Sequence, residues 1–461
     1  MSRLVVVSNR VANPDTSVKG NVGGLAIGIF AAMEESGGLW FGWNGKFEKT
    51  DQDLIKLENR NDIDFVTMGL TQTEYNNYYK GFANSVLWPL FHQRPDLMNY
   101  VKADFDGYQK VNRKFVDKLL PYLKQDDLIW VHDYHLIPFA SQLRKQGIKT
   151  PLGFFLHIPQ PPLDLLRTVP EHRFILKSLL DYDLIGFQTE TDVRAFREAV
   201  RFSLNAELED DGWIKCGERR ACARVYPIGI ESESIPEFVI KGKMSREYRS
   251  LEYGLGGRKL IIGVDRLDYS KGLVHRFNAY ERLLKNRRDL HRKMVFLQVA
   301  PTSRGDVQAY SDLANQIDRR VGHIVGTFAE FDWMPLRYIN RGFRRNTILA
   351  MYNLARVGFV TPLRDGMNLV AKEYVAAQNP ENPGVLVLSK MAGASAEMDA
   401  AVIVNPYDVE NVAISLGASL EMPLDERIDR WKKMFRVLSK NNIHAWHKNF
   451  TRDLKNCYAK L

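Results

Sequence analysis

Cysteine is scarce: Cys216, Cys222 and Cys457 are the only three in 461 residues, and no CxxC pair occurs among them. That leaves no basis for a disulfide framework or a structural zinc site, and a reducing cytoplasm is the expected location. Long apolar runs are missing too. The opening MSRLVVVSNR has neither the apolar core nor the cleavage site of a secretory peptide, and no stretch approaches the length of a membrane span. No membrane partner is therefore expected. There is no basic tail, internal repeat or low-complexity tract. The formal charge of +9 is a thinly spread difference between 64 Lys and Arg and 55 Asp and Glu, so nothing in it demands nucleic acid. A cleft lined by such cations suits small acidic ligands, because it focuses positive potential on phosphates; a merely basic surface would give the same sum.

What is present is an ordinary globular balance, 45% hydrophobic and 26% charged, over a chain too long for one hydrophobic core. Two domains are expected. Short β-branched runs bounded by turn residues recur at 4–7, 128–131, 152–156, 184–187, 260–264, 295–299 and 385–388, and they read as buried parallel strands. Between them lie amphipathic segments such as Val111, Phe115, Val116, Leu119 and Leu120, or Leu273, Phe277, Tyr280, Leu283 and Leu284, spaced to line one helical face. Strand and helix in alternation mean α/β. The alternation breaks between about 230 and 260, in a stretch with scattered charges, one Pro and a Gly cluster. The domain junction is expected there, with two doubly wound halves facing each other across a cleft that holds the site. At the end, Trp446, Phe450, Leu454 and Cys457 form a helical stripe that needs a surface to cover it, and the first domain is the expected one.

The chemistry-bearing residues follow strands. After the first comes SNRVANPDTSVKGNVGGLAIG, where Gly23 and Gly24 would let a diphosphate approach the backbone. It is not a GxGxxG loop, and a plain connecting turn remains an equal reading. Arg10, at the strand's carboxyl end, can grip a phosphate with two parallel hydrogen bonds. YYKGFANSVLWPLFHQR gathers Tyr79, Trp88 and His92; such aromatic and polar clusters bind sugars, or simply pack a core. HDYHL presents His132, Asp133 and His135 without an evident third metal ligand, and FFLHIPQPP sets His157 before a Pro-rich turn. A lone His in such a run is also a common core residue. GVDRLDYSKGL supplies Arg266 and Lys271 on a loop opening a helix, placed to stabilise the negative charge of a departing nucleoside diphosphate. A surface salt-bridge loop is the alternative. APTSRGD adds Arg304, and VTPLRDGMNLVAKEYVAAQ combines Asp365 in a Gly turn with Glu373 on the following helix. Eight residues along a helix return to nearly the same face, although Asp365 need not itself be helical. The acids can accept hydrogen bonds from a sugar and a ribose, and the DGMNL amides can meet a diphosphate.

Taken in order, Arg10 with GG, YYxxFxNxxLWPxFH, WVHDYHL, FFLHIP, RLDYSKG, APTSRGDVQAY and TPLRDGMNLVAKEYVAAQ span nearly the whole chain and resemble the trehalose-6-phosphate synthases. The resemblance implies a GT-B fold of two Rossmann-like domains. Residues 1–235, completed by 443–461, would bind acceptor, and 236–442 would bind donor. It implies transfer of glucose from UDP-glucose to glucose-6-phosphate with retention, no cofactor, no metal, and a homo-oligomer, dimer or tetramer. On the family's pattern Arg10, Tyr79, Trp88, Asp133 and Arg304 match the acceptor site. Gly23, Gly24, Arg266, Lys271, Phe343, Asp365, Gly366, Met367, Asn368, Leu369, Val370 and Glu373 match the donor site. Trp88 and Ile158 match positions that select the anomer, and His157 the one near the reacting glucose. Asp133, His157, Arg266, Lys271 and Asp365 form the implied catalytic set. Gln160 departs from the aromatic residue usual after HIP, which bears on acceptor selection. Rival readings are a related transferase using GDP- or ADP-glucose or a cyclitol acceptor, and a non-catalytic sugar-phosphate sensor. No carboxylate pair at double-displacement spacing is evident, which favours a front-face route. The acids of DFD at 104–106 and DYD at 181–183 read as ordinary turn and strand-start residues rather than metal ligands.

Overall fold

Each apolar run becomes a strand, and further strands join them into two sheets. The computed structural model describes residues 2–11, 29–30, 33–34, 36–48, 55–302 and 308–461. In the first sheet lie β1 (Leu4–Arg10), β2 (Gly38–Phe47), β3 (Lys56–Arg60), β4 (Ile63–Leu70), β5 (Leu128–His132), β6 (Leu152–Phe155), β7 (Leu184–Phe187), β8 (Glu207–Leu208), β9 (Trp213–Cys216) and β10 (Arg219–Val225). Their order is β3-β4-β2-β1-β5-β6-β7-β10-β9-β8. From β4 through β10 the pairing is parallel, with antiparallel strands added at both edges. The second sheet holds β11 (Lys259–Val264), β12 (Met294–Val299), β13 (Leu336–Ile339), β14 (Val357–Val360), β15 (Val385–Ser389) and β16 (Val402–Val404). It is parallel throughout, in the order β13-β12-β11-β14-β15-β16.

That second order is the doubly wound one, three strands wound one way from β11 and three the other. Ligands in such sheets bind beyond the strands' carboxyl ends, where the winding reverses. The reversal lies between β11 and β14, and in the first sheet between β1 and β5. Continuous burial of β5, β6, β7 and β12 is what a parallel sheet covered on both faces requires.

By compactness the chain divides into two units. One comprises the described residues up to Ile228 together with Ile443–Leu461, and the other Gly229–Asn442. The charged stretch after residue 230 is not a linker. It forms two helices of the second unit, α1 (Ile235–Lys243) and α2 (Arg246–Leu255). The charges that obscured the pattern stand on their solvent faces, while Ile235, Val239, Tyr248, Leu251 and Leu255 are buried. Further along lie α3 (Leu273–Asn286), α4 (Arg345–Leu354) and α5 (Leu369–Ala376). No helix among the described residues is long and apolar enough to cross a membrane.

The final helix, α6 (Ile443–Tyr458), belongs to the first unit and buries Trp446, Phe450, Leu454 and Cys457. Phe450 stacks on Trp130 of β5 at 4.5 Å between centroids, inclined by 14°. It fits because β6 and β7 each carry a glycine beneath it. A Cβ on Gly153 would come within 2.7 Å of the Phe450 ring, and one on Gly186 within 2.8 Å. Phe450→Ala is expected to destabilise the first unit by about 3–5 kcal/mol, read as a shift in its denaturant midpoint. Phe202→Ala, at an exposed position, is expected to stay within about 0.5 kcal/mol.

Candidate active site

In the second unit the two loops flanking the reversal are joined by an ion pair. Lys271 Nζ donates to Asp365 Oδ2 at 2.5 Å, with the two side chains 13% and 14% exposed. Asp365 is not helical. It forms a β-bridge to Ala392, and Asn368 Nδ2 donates to the same carboxylate oxygen at 2.9 Å. Asn368 also caps α5, its Oδ1 accepting from Ala371 N at 3.1 Å. For this double duty Asn368 adopts φ +83°, a conformation that costs about 1–3 kcal/mol and clusters at functional sites. Gly366 and Met367 are pinned against the segment 391–394, with Ala394 N donating to Met367 O at 2.8 Å. The approach is so close that a Cβ on Gly393 would stand 1.8 Å from Gly366 O. Leu369 and Val370 open α5, so their amides point along its axis toward this turn. Glu373, one turn on, is held by Arg345 of α4 at 3.0 Å. Arg266 is exposed, and Phe343 lies beneath the Arg341 guanidinium at 5.3 Å.

Beneath this pair lies a group that motif reading missed. Arg276 of α3 is 1% exposed. It donates to Asp265 Oδ2 at 2.6 Å, Gln298 Oε1 at 2.9 Å, Thr361 Oγ1 at 3.0 Å and Lys271 O at 3.3 Å. One guanidinium thereby ties together the ends of β11, β12 and β14 and the backbone of the cationic loop. Burial pushes the Asp265 carboxyl up, against the opposing pull of Arg276 and Lys271. The signal was available: Arg276 shares the apolar face of Leu273, Phe277 and Tyr280, where an unpaired charge is not tolerated.

In the first unit Arg10 ends β1 exposed, its guanidinium 5.9 Å from the Trp43 ring centroid. Tyr79 lies on a π-helical segment, Tyr75–Leu87, a widened coil common at functional sites. It stacks on His135 at 5.5 Å, inclined by only 7°. Trp88 is 5% exposed and packs on His92 and Tyr134, so most of its face serves the core. Asp133, at φ +76°, directly follows β5, and its Oδ1 accepts from His157 N at 3.3 Å. The His157 ring meets His132, Nδ1 of His132 lying 3.0 Å from Nε2 of His157. Trp446 of α6 covers both rings at 6.1 Å. Burial pushes His157 down to about 3 and His132 well below its ordinary value. Ile158 and Gln160 are buried, and Gln160 N donates to Asp192 Oδ1 at 2.9 Å. Gly23, Gly24 and Arg304 lie outside the described residues. Among the described residues no cluster of three or more His, Cys, Asp or Glu is placed to hold a metal.

The sequence profile of glycosyltransferase family 20 matches residues 2–456. The chain belongs to glycosyltransferase family 20. It is 47% identical over 459 residues to the trehalose-6-phosphate synthase of Enterobacter sp. strain 638, covering 99% of this chain and 95% of the relative. An α,α-trehalose-phosphate synthase (UDP-forming) from Burkholderia xenovorans, solved with glucose-6-phosphate, superposes with a TM-score of 0.95 at 48% identity, covering 98% of this chain and 100% of that one. An E. coli structure named for trehalose-6-phosphate and bound with UDP-2-fluoro glucose gives 0.94 at 46% identity, covering 98% and 99%. As a family 20 member the chain is a glycosyltransferase of GT-B fold, an α/β protein built on two largely parallel sheets.

The imidazole pair beneath α6, with His132 buried and His157 partly so, gives this family 20 enzyme a definite acid sensitivity. Unfolded, both histidines take up protons below their ordinary value near 6.5; folded, His157 resists until about 3. Their folded values are depressed, so the unfolded state binds more protons as pH falls. The contribution is complete above about 6.5 and is lost on descending toward 3. The melting temperature is expected to fall between about pH 7 and 5, less steeply in His132→Phe. Equal slopes for the two proteins would contradict this.

Proposed function

We infer that this chain moves glucose from UDP-glucose to glucose-6-phosphate with retention, giving α,α-trehalose-6-phosphate and UDP. The observation that carries the reading is the Lys271–Asp365 pair, a cation and a carboxylate fixed 2.5 Å apart where the second sheet reverses its winding. An ammonium has three protons to give. One goes to Asp365, and two remain for oxygens of a departing diphosphate. Arg266, on the same loop, adds a second cation, and the amides of Gly366 to Val370 supply neutral donors. Charge on the leaving group grows as the glycosidic bond breaks, so fixed cations stabilise the transition state more than the ground state.

Asp365, oriented by Lys271 and Asn368, accepts from hydroxyls of the transferred sugar, and Glu373 from the ribose. Gly23 and Gly24 make room for the diphosphate. Arg10 and Arg304 grip the acceptor's phosphate, while Tyr79, Trp88 and Asp133 shape its sugar and Ile158 with Trp88 sets the anomer. His157 orients the transferred glucose. The route is front-face. The diphosphate leaves first, its oxygen takes the acceptor hydroxyl's proton, and that hydroxyl attacks the face just vacated. The relative solved with glucose-6-phosphate and the one solved with UDP-2-fluoro glucose supply the two substrate classes. A cytoplasmic location and a homo-oligomer, dimer or tetramer, belong to the same reading.

Incubation with UDP-glucose and glucose-6-phosphate is expected to release UDP and a phosphorylated non-reducing disaccharide, with UDP a stronger competitor than GDP or ADP. Lys271→Ala should lower kcat on the order of 10²–10³ while the melting transition persists. Absence of product, or full activity in that variant, would overturn the reading.

A further inference from the structure

His132 ends β5 wholly buried and has no part in the chemistry above, yet its ring is bonded to His157. With burial holding both rings neutral, a single proton lies between His132 Nδ1 and His157 Nε2, and it can be covalently attached to either. If His157 supplies it, the proton of His132 sits on Nε2. That atom is buried without a hydrogen-bond partner among the described residues, and a stranded N–H is the rarer kind of orphan in folded proteins. If His132 supplies it, Nε2 is a bare lone pair instead. No hydrogen bond reaches that lone pair, but an unanswered lone pair costs less than a stranded N–H. Trp130 and Trp446, whose rings stand 4.5 and 6.1 Å from His132, each bury an indole N–H that also lacks a partner. The second arrangement is therefore the stable one. It commits Nε2 of His157 as acceptor and leaves Nδ1 of His157 carrying that ring's proton. This nitrogen makes no hydrogen bond to a described residue, on a side chain that is partly exposed.

We propose that His132 is a positioning residue whose Nδ1–H locks His157 in the Nδ1-protonated tautomer, so that His157 meets the transferred sugar as a neutral hydrogen-bond donor. The proposal rests on the assignment of His157 to that sugar. Its value to the reaction is electrostatic. A donor fixes a sugar hydroxyl, whereas an imidazolium in the same place would oppose the positive charge of an oxocarbenium-like transition state. Burial under α6 supplies the neutrality, and His132 supplies the direction of the proton. His447, also on α6 and stacked 5.8 Å from Trp130, adds to the cost of any charge on His132.

Long-range nitrogen–proton NMR on the full chain labelled with ¹⁵N-histidine reads the tautomer, with His157→Gln assigning the signals. The expected result is a His157 proton on Nδ1. His132→Phe should lower kcat roughly tenfold to a hundredfold, the usual effect of losing a group that orients a site residue, with KM for glucose-6-phosphate unchanged. His132→Asn, whose carboxamide N–H can replace the Nδ1 donor, should restore most of the rate. A His157 proton on Nε2 in the unaltered chain would overturn the proposal, and so would a folded His132→Phe with undiminished kcat. If His132→Phe does not fold, the tautomer of the unaltered chain and the His132→Asn rate still decide. Undiminished turnover in His157→Gln would instead remove His157 from the sugar, whatever the tautomer shows.

Discussion

A lysine and an aspartate held against each other at the reversal of a parallel sheet are the constraint on which the second unit is organised. Opposite charges that are mostly out of water hold position only if the backbones carrying them are held. Arg276 does this from below by tying the ends of three strands to the carbonyl of Lys271. Asn368 and the close backbone approach at Gly393 do it from the side of Asp365. The ion pair adds little net stability after desolvation. What it provides is placement of the Lys271 ammonium, which on the proposed reading aims its remaining protons at the diphosphate.

The first unit solves a different problem with the same topology. Its reversal lies between β1 and β5, and the groups beyond those strands are an exposed arginine, a strained aspartate and a pair of neutral imidazoles. Charge is tolerated at the rim, where Arg10 stands, and suppressed under α6, where Trp446 packs on His132 and His157. On the proposed reading, the second unit receives the diphosphate and the first keeps His157 a neutral donor. A reaction that joins a phosphorylated acceptor to a sugar bearing transient positive charge needs both.

Much of this was legible in the sequence. Continuous apolar runs such as 128–131 and 295–299 became buried parallel strands because nothing else hides such a run on both faces. The motif residues fell at carboxyl ends because βα loops begin there. Strands β2 and β4 escaped notice: GLWFGWNGKF and IDFVTMGL interrupt their apolar residues with glycine and polar groups, which reads as loop. Helices α1 and α2 escaped because their charged faces outnumber their buried positions. At the site, spacing could name Lys271 and Asp365 but not that they pair, since 94 residues separate them. It could not find Arg276 or the bond between His132 and His157, because both depend on which side chains a fold turns inward together.

Calorimetric titration of UDP into the unaltered chain, Lys271→Met and Asp365→Asn tests the central pair most directly. If the fixed ammonium is what receives the diphosphate, Lys271→Met weakens UDP binding roughly tenfold to a hundredfold. Asp365→Asn, which removes the carboxylate that aims the ammonium, weakens UDP binding too, by a smaller factor. Equal UDP affinity in the unaltered chain and a folded Lys271→Met would contradict the account.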